Sequence, residues 1–202
     1  MEENLSVISA NLERGSKYAI RESVRAGRVL KILGSQVGGL QPDVVFTQEN
    51  LADKYMTDFL KSEAGSKLDA HVNFGELSIL INTRKFKIEP WSGEGLPYHL
   101  NKSSGQTNIS YECYQAVLAK ITSRTTYKSI LLASFHSKAK TLKTGMTGEL
   151  DANSECSVEE TKSKFIENFL TYVTEIKEKM GAEYILIGGF KVWLDVLKMR
   201  VY

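Results

Sequence analysis

The chain has 202 residues, of which 42% are hydrophobic, so it is long enough to bury a core, and we expect a single domain over residues 1–202. Its 26 basic and 24 acidic residues nearly balance, so the overall charge neither strongly attracts nor repels nucleic acid, and any phosphate binding has to be local. The acidic start is unlike a signal peptide, and no apolar run approaches the roughly 20 residues that cross a bilayer. These features predict an intracellular protein, cytoplasmic or nuclear, without a membrane span. Cys113 and Cys156 are too few and too far apart for a disulfide framework or paired zinc ligands.

The first half of the chain alternates apolar strands with amphipathic helices. Apolar residues one or two turns apart predict a helix that ends at Gly38-Gly39 and Pro42. A buried strand with Val-Val-Phe at its centre follows, and three short strands after the next helix are typical of an antiparallel meander. The predicted elements are strand 5–10, helix 16–37, strand 43–49, helix 52–64 and strands 70–74, 77–83 and 85–89.

The second half predicts a hairpin and then a strand–helix–strand unit. Strands over 112–122 and 128–136 are separated by a short polar turn that suits a hairpin. A capping box at Ser157 begins a helix with a clear apolar stripe up to Gly181. The uninterrupted run Tyr-Ile-Leu-Ile that starts at Tyr184 favours a strand buried on both faces, parallel to and adjacent to the strand that precedes the helix.

Several polar residues follow the predicted strands and are candidates for a functional site. Asn11 ends the first strand, where Asn also simply tolerates turn geometry, and Glu49 leaves a buried strand, where a glutamate also serves as a helix cap or surface residue. His136 ends the second hairpin strand, where a histidine either holds or protonates a phosphate oxygen or is simply a strand-edge residue with its hydrogen bonds satisfied. Arg84 could approach phosphate or be an ordinary surface arginine. For each residue both interpretations stay open.

Four strand exits taken together resemble the endonuclease/exonuclease/phosphatase superfamily, the DNase I-like enzymes. They are Ile8-Ser9-Ala10-Asn11-Leu12, Asp43-Val44-Val45-Phe46-Thr47-Gln48-Glu49, Ser134-Phe135-His136-Ser137 and Ile187-Gly188-Gly189-Phe190-Lys191. The resemblance implies an α/β (α+β) fold, a four-layered α/β/β/α sandwich, and Mg²⁺-dependent cleavage of phosphate esters. It also implies that Glu49 binds the metal, that Asn11 contacts phosphate or a metal-bound water, and that His136 contacts the scissile phosphate.

The chain departs from this family at the last of these exits. The family's Gly-Asp-X-Asn motif is Gly188-Gly189-Phe190-Lys191 here, so Gly189 stands in place of the aspartate and Lys191 in place of the asparagine. Lys191 could neutralise a phosphate, but it would repel a metal cation placed nearby. The family's closing segment, with its Asp-His pair, should follow Trp193, whereas the chain ends at Tyr202. We therefore expect a sandwich that lacks its C-terminal strands and exposes a sheet edge.

Loss of the water-activating group decides the expected activity. Removing a general base typically costs roughly 100-fold to 10,000-fold in rate. The sequence thus predicts a Mg²⁺-dependent phosphoesterase-like domain, of nuclease or phosphodiesterase ancestry, that is weakly active or inactive. The alternative is a non-catalytic domain that binds phosphate ligands, nucleic acid or a protein, or a truncated product. The choice among DNA, RNA, inositol phosphate and lipid substrates, and the oligomeric state, are not set by the residues.

Overall fold

The computed structural model describes residues 5–12, 22–50, 53–74, 77–91, 114–137 and 158–189. Within these ranges the chain forms eight strands and three helices, in the order that the sequence predicts. They are β1 (Val7–Asn11), α1 (Glu22–Leu40), β2 (Val44–Gln48), α2 (Asp53–Lys61), β3 (Ala70–Phe74), β4 (Leu77–Ile81), β5 (Phe86–Pro90), β6 (Tyr114–Ser123), β7 (Ser129–Ser137), α3 (Val158–Lys179) and β8 (Tyr184–Gly188).

The strands form two four-stranded sheets of mixed direction. The first has the order β1-β2-β4-β3, with β1 parallel to β2 and the other pairs antiparallel. The second has the order β5-β6-β7-β8, with two antiparallel pairs and a parallel pairing of β7 with β8. The predicted β6–β7 hairpin and the predicted parallel unit of β7, α3 and β8 are both confirmed.

Three apolar clusters show how these elements stack. The first cluster lies between the two sheets, because the side chains on the inner face of each sheet are apolar. Its members include Phe46, Ile79, Phe86, Ile121 and Leu132. A second joins α1 and α2 to the outer face of the first sheet and includes Leu33, Val37, Met56, Phe59 and Leu80. The third joins α3 to the outer face of the second sheet and includes Leu131, Phe135, Phe169, Val173 and Ile176. The result is the predicted four-layered α/β/β/α sandwich.

The expected meander of three strands is wrong in its last member. β3 and β4 pair as predicted, but β5 leaves the first sheet and pairs with β6, with Phe86 opposite Ser123. The reason is burial: Phe86 is 4% exposed in the cluster between the sheets, and Ile88 packs against the same cluster. Both side chains therefore reach the core from the second sheet.

The end of α1 and the burial of β8 also differ from the sequence expectations. α1 continues through Gly38 and Gly39 to Leu40, and the chain turns at Gln41, whose φ is 45° and whose amide donates to Val37 O. Residues Tyr184–Ile187 of β8 are only half-buried, because among the described strands β8 has a hydrogen-bonded neighbour on one side, β7. None of the described helices combines the length and apolarity that crossing a membrane requires.

Candidate functional site

The site begins where the parallel strands β1 and β2 end side by side. Asn11, the last residue of β1, is in register with Gln48, the last residue of β2. This places the next residue, Glu49, beside Asn11, and Asn11 Nδ2 donates to Glu49 Oε1 at 3.1 Å. Both side chains are partly buried. The sequence indicated each of these two residues as a site candidate on its own, and the structure brings them into direct contact.

Glu49 has an unusual backbone conformation that aims its side chain. Its φ is 51°, the left-handed region, which costs an L-residue other than glycine about 1–2 kcal/mol. Two hydrogen bonds hold the turn around it: Leu12 N donates to Gln48 O at 2.8 Å, and Thr47 Oγ1 donates to Asn50 Oδ1 at 2.6 Å. Since each such bond contributes about 1 kcal/mol, the pair is large enough to offset the strain.

Gln48 links the first sheet to the second at this end of the sandwich. It is 3% exposed, and its Nε2 donates to Ser134 Oγ of β7 at 3.3 Å, while Ser134 Oγ approaches Thr47 O at 3.4 Å. His136 follows Ser134 by two residues and pairs through its backbone with Gln115 of β6. The carboxyl end of β7, which carries His136, therefore lies at the same end of the sandwich as Asn11 and Glu49. The side chain of His136 lies outside the described part of the structure.

Gly189 reaches the same place from β8. Its amide donates to Ser9 Oγ of β1 at 3.1 Å. A Cβ built on it would lie 2.0 Å from Phe135 O and 3.0 Å from Gln48 Nε2, and its φ is 94°. The backbone thus passes Gln48 and Phe135 at a distance that leaves no room for a side chain in this conformation. Lys191 lies outside the described residues.

Arg84 lies at the other end of the first sheet. β2 and β4 are antiparallel, with Val44 opposite Ile81 and Gln48 opposite Leu77, so the turn after Ile81 is next to the start of β2. Arg84 is exposed in that turn, and its amide donates to Asn82 Oδ1 at 3.1 Å. The full length of β2 separates this turn from Glu49. The structure therefore does not bring Arg84 together with Asn11 and Glu49.

The described residues could supply only a few of the ligands that Mg²⁺ needs. Within the described ranges, no group of three or more His, Cys, Asp or Glu side chains is arranged to hold a metal. Mg²⁺ nevertheless often binds through one or two carboxylates, retained waters and substrate phosphate oxygens. Glu49 supplies one carboxylate, and beside it the side-chain amide of Asn11 carries a second hard oxygen atom. This donor set fits Mg²⁺ with most of its coordination left to water and ligand.

Sequence reasoning missed the buried polar residues that support the site. Asn50 Nδ2 donates to Ser78 Oγ at 2.5 Å, and Ser78 Oγ lies 2.7 Å from His71 Nε2. The signal was present in the sequence, since Ser78 interrupts the apolar run Leu-Ser-Ile-Leu-Ile and Thr47-Gln48 ends a strand that is otherwise apolar. A polar side chain in a fully buried strand needs a partner, which indicates a network.

Comparison with known proteins gives the fold but no sequence relative. No protein-family model matches the chain, and no curated protein matches it significantly in sequence. Among solved structures, a mannosyl-6-phosphatase from Bacteroides thetaiotaomicron has a TM-score of 0.58 at 15% identity, covering 91% of this chain and 64% of that chain. An endonuclease/exonuclease/phosphatase family protein from the same bacterium has 0.56 at 16% identity, covering 91% and 62%. The catalytic domain of human nocturnin, with a bound sulfate anion, has 0.50 at 13% identity, covering 91% and 63%.

These similarities agree with the sequence resemblance on the architecture. The three proteins belong to the DNase I-like superfamily, and the two sheets and flanking helices described above match them. This chain spans less than two thirds of the length of each of the three. The identities are low enough that the likeness concerns the fold alone.

Proposed function

Because the chain has the DNase I-like fold, we propose that it is a Mg²⁺-dependent phosphoesterase-like domain that binds a phosphate ester and turns it over slowly. One observation carries the proposal: the 3.1 Å hydrogen bond from Asn11 Nδ2 to Glu49 Oε1 at the point where β1 and β2 end together. A carboxylate and an amide held side by side at the carboxyl ends of parallel strands are suited to a hard cation and to phosphate oxygens.

The proposed roles combine the placement of Asn11 and Glu49 with what the family resemblance implies for His136 and Lys191. Glu49 would hold Mg²⁺, which when bound offsets negative charge on the phosphate. Asn11 would orient the Glu49 carboxylate through its side-chain nitrogen, and its side-chain amide would contact phosphate or a metal-bound water. His136, at the end of β7, would contact the phosphate. Lys191 would add positive charge for phosphate and disfavour a nearby cation. The proposal assigns no role to Arg84, because Arg84 lies at the far end of the sheet.

Slow turnover follows from Gly189. It occupies the position at which the resemblance expects an aspartate, and it offers no group that orients or deprotonates water. Removing such a base costs roughly 100-fold to 10,000-fold in rate. Gly189 also favours the second candidate function, a domain that binds phosphate ligands without cleaving them, because binding needs only the residues at the ends of β1, β2 and β7.

The test measures metal binding and hydrolysis separately. Mn²⁺, which electron paramagnetic resonance detects directly, replaces Mg²⁺ in the binding assay, and bis(p-nitrophenyl) phosphate and p-nitrophenyl phosphate are the ester probes. The variant is Glu49→Gln, which keeps the shape and removes the charge. The matched control is Glu167→Gln, because Glu167 is an exposed glutamate on α3, the helix that packs on the outer face of the second sheet.

We expect the wild type to bind one Mn²⁺ weakly and to hydrolyse the esters slowly, with both properties lost in Glu49→Gln and kept in Glu167→Gln. Binding without hydrolysis would select the non-catalytic alternative. Equal Mn²⁺ affinity for the wild type and Glu49→Gln would remove Glu49 from the metal site and overturn the proposal. Fast Mg²⁺-dependent hydrolysis would overturn the assignment of slow turnover.

A further inference from the structure

A buried chain of polar side chains starts beside Glu49 and crosses strands β2, β4 and β3. Thr47 Oγ1 donates to Asn50 Oδ1 at 2.6 Å, Asn50 Nδ2 donates to Ser78 Oγ at 2.5 Å, and Ser78 Oγ lies 2.7 Å from His71 Nε2. Thr47 and Ser78 are fully buried, and Asn50 is 6% exposed. We call these four residues the polar relay. A buried network whose members are paired is rigid, because each bond that opens leaves a polar group without water.

The polar relay encloses the backbone turn that carries Glu49. Thr47 and Asn50 lie on either side of the Gln48-Glu49 pair, and their side-chain bond closes the turn from residue i to residue i+3. Asn50 is then tied through Ser78 to β4, an inner strand of the sheet. The left-handed φ of 51° at Glu49 needs such a constraint, since an unusual backbone conformation persists only where its surroundings fix it.

We infer that the polar relay is a positioning device for the metal ligand: it fixes the turn at Glu49 and so aims the carboxylate at Asn11. This inference rests on the proposed role of Glu49. Thr47, Asn50 and Ser78 are positioning residues, because they bond one another around the turn, whereas the Glu49 carboxylate is the proposed metal ligand. Without the Thr47 hydroxyl, the Asn50 carbonyl loses its donor, the turn relaxes toward common φ values, and the carboxylate leaves Asn11.

The experiment compares two substitutions at one position. Thr47→Val has the same shape and lacks the hydroxyl, whereas Thr47→Ser keeps the hydroxyl. Asn82→Ala is the matched control, because Asn82 also caps a turn through its side chain, on Arg84 N, at the opposite end of the same sheet. Mn²⁺ affinity is measured by electron paramagnetic resonance. Loss of a group that orients a metal ligand typically weakens affinity by roughly 10-fold to 100-fold.

We expect Thr47→Val to weaken Mn²⁺ binding by about 10-fold or more, and Thr47→Ser and Asn82→Ala to change it by less than about 3-fold. Equal Mn²⁺ affinity for Thr47→Val and Thr47→Ser would overturn the inference. Urea unfolding of all three variants shows whether a loss of affinity merely follows a loss of stability. An affinity that falls as much in an equally destabilised Asn82→Ala would also overturn it.

A second measurement needs no metal and separates this inference from the proposed function. The side-chain amide resonances of Asn11, assigned through their loss in Asn11→Asp, report the hydrogen bond to Glu49 Oε1. We expect Thr47→Val to shift them by as much as Glu49→Gln does, and Thr47→Ser to leave them near their wild-type positions. If Glu49→Gln leaves Mn²⁺ affinity unchanged, the metal assignment fails, and these resonances still decide whether the relay positions Glu49. Unmoved resonances in Thr47→Val would refute the relay whatever the metal does.

Discussion

A pair of glycine substitutions tests the geometry that replaces the expected aspartate. Gly189 and Gly181 both have positive φ, 94° and 64°, so an alanine at either position carries the left-handed cost of about 1–2 kcal/mol. The two glycines differ in the room that surrounds an added Cβ. A Cβ at Gly181 meets nothing within 4 Å, whereas a Cβ at Gly189 would lie 2.0 Å from Phe135 O, far inside the ordinary contact distance of 3.4 Å.

The steric difference sets the expected magnitude. Relieving the contact at Gly189 requires a backbone shift of more than 1 Å against the β7–β8 pairing, and overpacking of this kind costs about 1–3 kcal/mol. Gly181→Ala is therefore expected to lower the free energy of unfolding by about 1–2 kcal/mol, and Gly189→Ala by about 2–5 kcal/mol. Urea unfolding followed by far-ultraviolet circular dichroism measures both.

The same obstruction bears on any attempt to restore the missing carboxylate. Gly189→Asp adds the same Cβ in the same conformation, so we expect it to destabilise the domain like Gly189→Ala and to leave ester hydrolysis at the wild-type level. Equal stabilities for Gly189→Ala and Gly181→Ala would refute the steric argument. A Gly189→Asp variant that is stable and hydrolyses esters at least 10-fold faster would show that the site lacks only this one carboxylate.

Three further predictions concern charges and hydroxyls away from the site. Asp43 is buried, its Oδ2 accepts from Ser6 N, and Lys85 Nζ lies 2.7 Å from its Oδ1 outside hydrogen-bond geometry. Because the Lys85 side chain is half exposed, Asp43→Ala should lower the free energy of unfolding in urea by only about 1–3 kcal/mol. A loss below about 0.5 kcal/mol would contradict this. Burial raises the pKa of Asp69, but hydrogen bonds from the Thr83 hydroxyl and amide outweigh burial and hold the pKa below 3.8. The stabilisation by the Asp69 carboxylate is therefore present above pH 3.8 and is lost as the pH falls through the lower folded-state pKa. Asp69→Asn should flatten the acid side of the plot of stability against pH, and an unchanged slope would count against this reasoning. Burial raises the pKa of Tyr172 above 10.0, so the stabilisation of the fold by the neutral Tyr172 side chain is complete below pH 10 and declines as the pH rises through the folded-state pKa. Tyr172→Phe should reduce the loss of stability at alkaline pH, and an identical alkaline slope would refute the argument.

Local patterns were enough to predict most of the architecture. The apolar stripe that precedes Gly181 and the Val-Val-Phe strand gave a helix and a strand whose observed bounds agree within a few residues. Such patterns report which side of an element is buried, and burial largely determines the layers. They do not report which sheet buries a strand. Phe86 alternates in the same way whether it fills the core from the first sheet or the second, so the transfer of β5 was not predictable from its residues.

The sequence indicated where Asn11 and Glu49 lie along their strands but not the contacts that they make. The positions of Asn11 and Glu49 after apolar strands indicated that both lie at strand ends, and register then brought them together. A local pattern indicates that Ser78, in a buried strand, needs a hydrogen-bond partner, but it does not identify Asn50, 28 positions away, as that partner. Arg84 lies at the opposite end of the sheet from Glu49 because β4 is antiparallel to β2, and the sequence did not reveal that direction.

Because β5 follows a strand of the first sheet but pairs within the second, it links the unfolding of the two sheets. Only residues 82–85 connect β4 to β5, and Lys85 in this link meets Asp43 at the start of β2. Peeling the second sheet away would break that ion pair and expose Phe86, so neither sheet can open far while the other stays closed. Amide hydrogens in the centres of β4 and β6 should therefore show the same free energy of opening in hydrogen–deuterium exchange, through one shared opening event, even though they belong to different sheets.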